Sequence, residues 1–80
     1  MMKVFVLLTS APMGEELVSV YSTPEKALER IIEDLKEEFS EDEINKQISS
    51  IGIDRFVSAF DYSILECEID GEIRKYSFNK

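Results

Sequence analysis

The order of apolar and polar residues between Lys3 and Leu35 constrains the fold of this chain more than any other feature. Val4 to Leu8 is an apolar run of five residues, which is typical of a strand that is covered on both faces or central in its sheet. A turn-rich bend follows at residues 10–16, and Leu17 to Tyr21 then alternates between two faces. The pattern predicts a hairpin of two strands at the start of the chain.

A helix is predicted to begin at Pro24. The hydroxyl of Thr23 can accept a hydrogen bond from a free backbone amide of the first turn, and proline suits the first position of a helix. The apolar side chains that follow recur at spacings of three and four residues and form one stripe: Leu28, Ile31, Ile32, Leu35 and Phe39. We expect this stripe to pack across the sheet while the acidic side chains between its members face water.

A second, shorter helix is predicted after Ser40. Ser40 and Glu43 have the spacing of a capping box, apolar residues continue at helical spacing to Ile51, and Gly52 suits the C-terminal cap. Residues 53–60 fit either one helical turn or an extended connector, because so short an apolar pattern matches both. We interpret them as a packed linker.

The last part of the chain predicts another hairpin. Tyr62 to Ile69 is strand-like, Asp70 with Gly71 is a strong turn signal, and residues 72–78 return as a final strand. The register of this hairpin is open at this point.

Two turn lengths give two registers for the last hairpin. A two-residue turn would pair Cys67 with Arg74, whereas a three-residue bulged turn would pair Glu66 with Arg74. We favour the second, which gathers four side chains on one face: Tyr62, Ile64, Tyr76 and Phe78.

Together these elements predict a single α+β domain over residues 1–80. The predicted fold is a four-stranded, mainly antiparallel sheet in the element order ββααββ, with two helices packed on one face. A chain of 80 residues has room for one core only, since it buries about 60% of the surface that its extended form exposes.

Three segments carry a resemblance to known proteins: Val4 to Leu7, Val18 to Ala27, and Tyr62 to Ile69. They resemble a family of small uncharacterised bacterial and phage proteins with a strand, strand, helix, strand layout. In that family a tyrosine and a serine close the second strand just before the helix. The resemblance implies a fold and no activity, and the second helix and the final strand of this chain depart from the family's pattern.

Residues that carry common enzyme chemistry are scarce. The chain has no histidine and one cysteine, so the commonest proton shuttle and a common metal ligand are missing. Cys67 lies between Glu66 and Glu68, and this negative charge disfavours a thiolate, so we expect a small core residue. The serines have no histidine to activate them, and the three glycines are isolated from one another. We therefore predict no catalytic residue, no metal site and no cofactor.

Cysteine content and the N-terminus indicate the location of the protein. A single cysteine cannot form an internal disulfide, which is compatible with a reducing compartment. The apolar run after Met1 to Lys3 is too short for a secretory signal peptide, and no stretch approaches the roughly 20 apolar residues that cross a bilayer. We predict a cytoplasmic protein without membrane contact.

Charge is the second informative feature of the sequence. There are 17 acidic and 9 basic residues, a net charge of −8, so direct binding of nucleic acid is not expected. The acids concentrate in residues 25–43, and four of them repeat every four residues: Glu25, Glu29, Glu33 and Glu37. We interpret this face either as a docking surface for a basic protein partner, with Glu29, Glu33 and Glu37 as candidate contacts, or as a solvated face that keeps a small protein soluble.

Eight aromatic residues are many for a small sheet that helices cover on one side. If Tyr62, Tyr76 and Phe78 share the uncovered side, they form a surface for a partner or for a homodimer, since exposed apolar patches mark interfaces. In the alternative, all eight aromatic residues fill the core.

These observations favour a small, acidic, non-enzymatic interaction module that binds a protein partner and self-associates. The alternative is an inhibitor from a phage or mobile element that imitates the nucleic-acid backbone and occupies a nucleic-acid-binding protein. A small enzyme ranks third, and a deep polar pocket around Tyr21 or Cys67 would favour it.

Overall fold

The computed structural model of this chain describes residues 2–11 and 13–78 and places four strands and three helices in them. In chain order the elements are β1 (Lys3–Ala11), β2 (Gly14–Tyr21), α1 (Pro24–Leu35), α2 (Glu41–Ile51), α3 (Ile53–Ala59), β3 (Tyr62–Glu68) and β4 (Ile73–Lys75). All strand pairs are antiparallel and belong to one sheet, so the predicted α+β class is confirmed.

The first strand lies in the interior of the sheet, whose strand order is β2-β1-β3-β4. It pairs with β2 through the first hairpin and with β3 on its other side. The central position agrees with the apolar run from Val4 to Leu8, one of the two settings that this pattern predicts. The edges of the sheet are β2 and β4, and β4 is shorter than the strand predicted over residues 72–78.

Both predicted helix starts are present. The hydroxyl of Thr23 accepts a hydrogen bond from the backbone amide of Lys26 at 3.3 Å. The Ser40 hydroxyl accepts from the Glu43 backbone amide at 3.2 Å, and the Glu43 carboxylate accepts from the Ser40 amide at the same distance. These bonds satisfy backbone donors that a helix leaves without an internal partner. α1 ends at Leu35, so the last member of its predicted stripe, Phe39, lies in the connection to α2 and packs against the core from there.

Residues 53–59 form a third helix, which corrects the interpretation of residues 53–60 as a linker. Gly52 separates α2 from α3 with a φ of 86°, a backbone conformation that favours glycine. Phe56 and Val57 are buried, so burial of one side of α3 stabilises a helix too short to persist alone.

The core lies between one face of the sheet and the three helices. Its buried residues are Phe5, Leu7, Ala27, Ile31, Leu35, Ile44, Phe56, Val57 and Ile64. All eight aromatic residues lie within this cluster or pack against it, and ring pairs such as Phe5 with Tyr76 meet edge to face at 5.4 Å between centroids. Of the two placements considered for the aromatics, the structure therefore has the one in which they fill the core.

The last hairpin has the register that places Glu66 opposite Arg74, as predicted for the bulged turn. Past the end of β4, the backbone amide of Tyr76 donates to the carbonyl of Ile64 at 2.9 Å. This bond continues the pairing by one residue and holds Tyr76 beside the core.

The segment after β4 is attached to α3 by the carboxylate of Asp54. Asp54 accepts a hydrogen bond from the Ser77 hydroxyl at 2.6 Å and one from the Phe78 backbone amide at 2.8 Å. Both bonds are partly buried and end on an ionised group, which makes them stronger than neutral hydrogen bonds. The two bonds bring Phe78 onto the helix side of the sheet.

Candidate interaction surface

The face of the sheet opposite the helices follows from alternation along β1. Phe5 and Leu7 belong to the buried core, and successive side chains of a strand point to opposite faces. Val4, Val6 and Leu8 therefore lie on the other side of the sheet, which we call the open face.

Cross-strand pairing extends the open face over all four strands, because residues directly opposite each other share a face. Val6 pairs with Val20 of β2 and with Leu65 of β3, and Leu65 pairs with Lys75 of β4, which forms one row across the sheet. The neighbouring rows have the same apolar character. In full, the apolar side chains of the open face are Leu17, Val20, Val4, Val6, Leu8, Leu65, Cys67 and Ile73.

A bulge in β2 sets which residues of that strand reach the open face. Leu7 pairs with Ser19 and Leu8 with Leu17, so β2 has one extra residue, Val18, at this point. Val18 packs against the core, whereas Leu17 and Val20 lie on the open face. Without the bulge, Leu17 and Val20 would fall on opposite sides of the sheet.

The outer residues of the open face are strongly exposed. Leu17 is 64% exposed, Val20 50% and Ile73 68%. Val4, Val6, Leu8 and Leu65, in the middle strands, are partly buried by their neighbours in the sheet. None of the three helices described in the structure lies over this face, because all of them pack against the core on the other side.

Charge is nearly absent from the open face. Among the described strand residues, Glu15 at the start of β2 and Lys75 at the end of β4 are the charged side chains that pairing places on it. Apolar patches of this kind on a protein surface mark contacts with other molecules.

The acidic side chains lie on the helices instead. Glu25, Glu29 and Glu33 are exposed along α1, and Glu37 is exposed in the connection after α1, so the four-residue repeat leaves the helix at its last member. The acidic surface continues into the first turn of α2, where Glu41, Asp42 and Glu43 are exposed.

Two basic residues of α1 and its C-terminal end reduce this negative charge. The guanidinium of Arg30 lies 3.2 Å from Asp34, and the ammonium of Lys36 lies 4.0 Å from Glu33. Both pairs are exposed, where ion pairs contribute about 0 to 1 kcal/mol each. They leave Glu25 and Glu29 of the repeat facing solvent.

The aromatic interaction candidates lie on the helix side. Tyr62, Tyr76 and Phe78 are partly buried and pack against the core, so none of them belongs to the open face. Burial, followed by the charge of Asp34 and its hydrogen bond with the Tyr62 hydroxyl at 3.4 Å, raises the pKa of Tyr62. Burial, followed by the charge of Glu25, raises the pKa of Tyr76.

A charged cluster occupies the end of the covered face that the helices leave free. Glu66 is buried, and its carboxylate lies 3.5 Å from the ammonium of Lys3 and 3.8 Å from the guanidinium of Arg74. Arg74 also pairs with Glu68 and Glu72. The cluster compensates a buried carboxylate with two cations, as a buried charge requires, and it connects β1, β3 and β4.

The only cysteine of the chain, Cys67, is a partly exposed member of the open face. The prediction of a core position is therefore wrong, because the alternation of β3 places Ile64 and Glu66 on the covered side and Cys67 on the other. Its position between Val4 and Ile73 makes the thiol a natural reporter of whether the face is covered.

Three cavities formed by the described residues lie away from Tyr21 and Cys67, the two positions at which a deep polar pocket would have favoured an enzyme. A groove of about 330 Å³ lies between α2 and α3 and is lined mainly by Phe39, Ile44, Phe56 and Phe60. Two shallower hollows lie beside α2 and between α3 and the last hairpin, and neither Tyr21 nor Cys67 lines any of the three. In residues 2–11 and 13–78 no three acidic or thiol groups converge as a metal site would require. No helix in these residues has the length and apolar character to cross a bilayer.

Sequence reasoning selected the aromatic residues as surface candidates and missed the aliphatic ones. The signal for Val20 was present, since it alternates with Tyr21, which packs against the core. The sequence does not indicate which side of the sheet the helices cover, nor where the bulge that brings Leu17 beside Val20 lies.

Comparison with known proteins found no matching family model, no matching curated protein and no matching solved structure. The resemblance to the family of small bacterial and phage proteins therefore has no support from a family match.

Proposed function

We propose that this protein is a non-enzymatic interaction module that binds another protein chain through the open face of its sheet. The observation that carries the proposal is the continuity of that face: eight apolar side chains from four paired strands, with three of those on the edge strands at least half exposed. A monomeric soluble protein rarely leaves a contiguous apolar patch of this extent in water.

The composition of the open face fits a protein contact better than a catalytic role. Aliphatic side chains exclude water and fit a complementary surface, but they neither transfer protons nor act as nucleophiles. The ion pairs of the sheet lie on the opposite side, where the carboxylate of Glu66 pairs with Lys3 and with Arg74. Binding through the open face would therefore draw its free energy from the burial of apolar surface.

The test compares capture by matched bait proteins. The double variant Val20→Lys/Ile73→Lys places two charges on the open face at half-exposed positions of the edge strands, so the fold should tolerate both. The control, Met13→Lys, makes the same kind of change at a residue that is 99% exposed in the β1–β2 connection. A specific partner should bind the unchanged chain and the control and be lost with the double variant. Equal capture by all three baits would contradict the proposal.

A second candidate function rests on the acidic surface. Exposed carboxylates continue from α1 through residues 36–40 into the first turn of α2, so they extend beyond a single helix. This continuity favours an acidic inhibitor from a phage or mobile element that imitates a nucleic-acid backbone and binds a basic protein. Charge reversal of Glu29, Glu33 and Glu37 should then abolish capture of the partner, whereas Val20→Lys/Ile73→Lys should leave it unchanged. The open-face proposal expects the opposite pattern.

A further inference from the structure

We infer that the occupant of the open face is a second copy of this chain, which stacks sheet against sheet in a symmetric dimer. The inference rests on the proposed function, because it names the partner of the same surface.

The area of the open face suits a small symmetric interface. The four strands contain 9, 8, 7 and 3 residues. At a rise of about 3.4 Å per residue and a strand spacing of about 4.8 Å, they present about 440 Å² in projection. Two such faces give about 880 Å² before the relief of the side chains is counted, which approaches the roughly 1,000 Å² of a specific interface. Interfaces near this lower limit are typically weak or transient, so we expect a dissociation constant in the micromolar range.

The distribution of charge favours a dimer contact through the open face over a contact through the helix surfaces of this chain. Two molecules of net charge −8 repel each other, and the repulsion is smallest when their contact keeps the acidic regions far apart. When two copies stack through the open face, the helix layers with Glu25, Glu29 and Glu33 lie on the two outer sides of the dimer. The acids are then separated by two sheets and the interface between them.

The two charges of the open face also suit a two-fold arrangement. Glu15 lies on β2 and Lys75 on β4, at opposite edges of the sheet. A two-fold axis parallel to the strands lays β2 of one copy over β4 of the other, so each rim carries one acid and one base and no like charges meet there. Glu15 is level with Ser10 and Lys75 with Val6, which separates the two charges by about 14 Å along the strands. Val6 and Leu65, in the two middle strands, then lie closest to the axis, and Val6 of one copy faces Leu65 of the other.

Pairing through a sheet edge is the competing route to a dimer, and both edges oppose it. β4 has three residues, which is too short for an extended ladder, and β2 is interrupted by the bulge at Val18. Short strands and bulges are features that prevent edge pairing. The open face is the larger and more regular surface.

The row Val20, Val6, Leu65, Lys75 supplies a directed test of the arrangement. With the two-fold axis parallel to the strands, Val20 of one copy lies over Lys75 of the other and can pack on its aliphatic stem. Val20→Lys would bring two ammonium groups together in an apolar interface. The change lies on an edge strand at a residue that is 50% exposed, so the monomer should keep its fold.

The experiment measures the mass of the purified full chain by sedimentation equilibrium from about 5 to about 300 µM, a range that brackets a micromolar dissociation constant. The unchanged chain should move from its single-chain mass of 9.2 kDa to twice that value. Val20→Lys should raise the dissociation constant at least about tenfold, and Met13→Lys should leave it within about twofold. Circular dichroism of each variant verifies that its fold is intact.

Cys67 gives a second readout on the same samples. A thiol reagent such as 5,5′-dithiobis(2-nitrobenzoic acid) should modify Cys67 more slowly at high protein concentration, because a stacked copy covers the open face. Val20→Lys should abolish this protection. A constant single-chain mass at the highest concentration would overturn the inference, and so would a dimer that Val20→Lys does not weaken or that leaves Cys67 equally reactive.

Failure of this inference and failure of the proposed function give different results. If the chain stays monomeric but Val20→Lys/Ile73→Lys still eliminates a captured protein, the second copy is rejected and the open face serves another partner. If neither mass nor capture depends on the open face, both ideas are rejected.

Discussion

Both faces of the sheet carry apolar side chains, but these side chains differ in their exposure to solvent. Phe5, Leu7 and Ile64 are 8%, 0% and 2% exposed under the helices, whereas Leu17, Val20 and Ile73 on the open face are at least half exposed. The difference arises from the number of layers and not from residue type. A chain of 80 residues supplies one layer of helices, and that layer covers one side of its sheet. Apolar alternation therefore does not state which of the two faces of the sheet the helices cover.

The strongest test of the comparison uses two adjacent leucines of β1. Leu7→Ala removes a fully buried side chain and should lower the free energy of unfolding by about 2 to 5 kcal/mol. Leu8→Ala makes the same change on the open face, where the side chain is only partly buried, and should lower it by about 1 kcal/mol in the monomer. Urea denaturation at low protein concentration measures both. Equal losses for the two variants would show that the open face is covered within the single chain.

A second test concerns the covered side of the sheet, where the hydrogen bonds of Asp54 hold the segment after β4. Asp54→Ala leaves the Ser77 hydroxyl and the Phe78 amide without this acceptor and should lower the free energy of unfolding by about 1 to 3 kcal/mol. Asp54→Asn keeps one oxygen acceptor and should lose less. Thermal unfolding of both variants checks this order, and an unchanged melting temperature for Asp54→Ala would contradict the role assigned to the carboxylate.

The acidic repeat tests the outer surface of the helix layer. Glu29→Gln removes two like-charge steps of α1, to Glu25 and to Glu33, and should raise the free energy of unfolding by about 0.4 to 1 kcal/mol at low salt. The gain should shrink as salt screens the repulsion that it relieves. Glu38→Gln, at an exposed residue outside the helix, is the matched control and should have a smaller effect. A loss of stability in Glu29→Gln would indicate that the carboxylate makes a favourable contact.

The smallest expected effect is a pH dependence from the covered side. Burial, followed by the charge of Asp34, raises the pKa of Tyr62 above its ordinary value of about 10. The unfolded chain then releases the phenolic proton at a lower pH than the folded chain, so the free energy of unfolding falls as pH rises above about 10. Tyr62→Phe should make this fall less steep in denaturant titrations between about pH 9 and pH 11. An identical slope in the variant would exclude the phenol as a contributor.

Local features of the fold were predictable because short-range contacts decide them. Thr23 before Pro24 and the pair Ser40 and Glu43 specify two helix starts through bonds that span three residues. The register of Glu66 with Arg74 was the favoured one of two that the possible turn lengths left open. α3 was not predicted, since the pattern of residues 53–60 also matches an extended segment and its helix is stabilised by the burial of Phe56 against distant residues.

The candidate surface was predictable in kind but not in position. One of the two placements considered from the sequence put Tyr62, Tyr76 and Phe78 on an uncovered sheet face, and the structure has the other, with all three against the core. The acidic candidates Glu29, Glu33 and Glu37 are exposed as expected, although Glu37 lies outside α1.

The amino-acid sequence was enough to predict the approximate positions of the strands, two of the helix starts and the concentration of acids on the helices, and it reduced the register of the last hairpin to two alternatives. All of these depend on neighbours along the chain or across one turn. Tertiary structure alone decided which side of the sheet the helices cover, and with it the assignment of each alternating strand residue to core or surface. The physical reason is that alternation defines two equivalent faces, and only the packing of distant elements against one of them makes the two faces different.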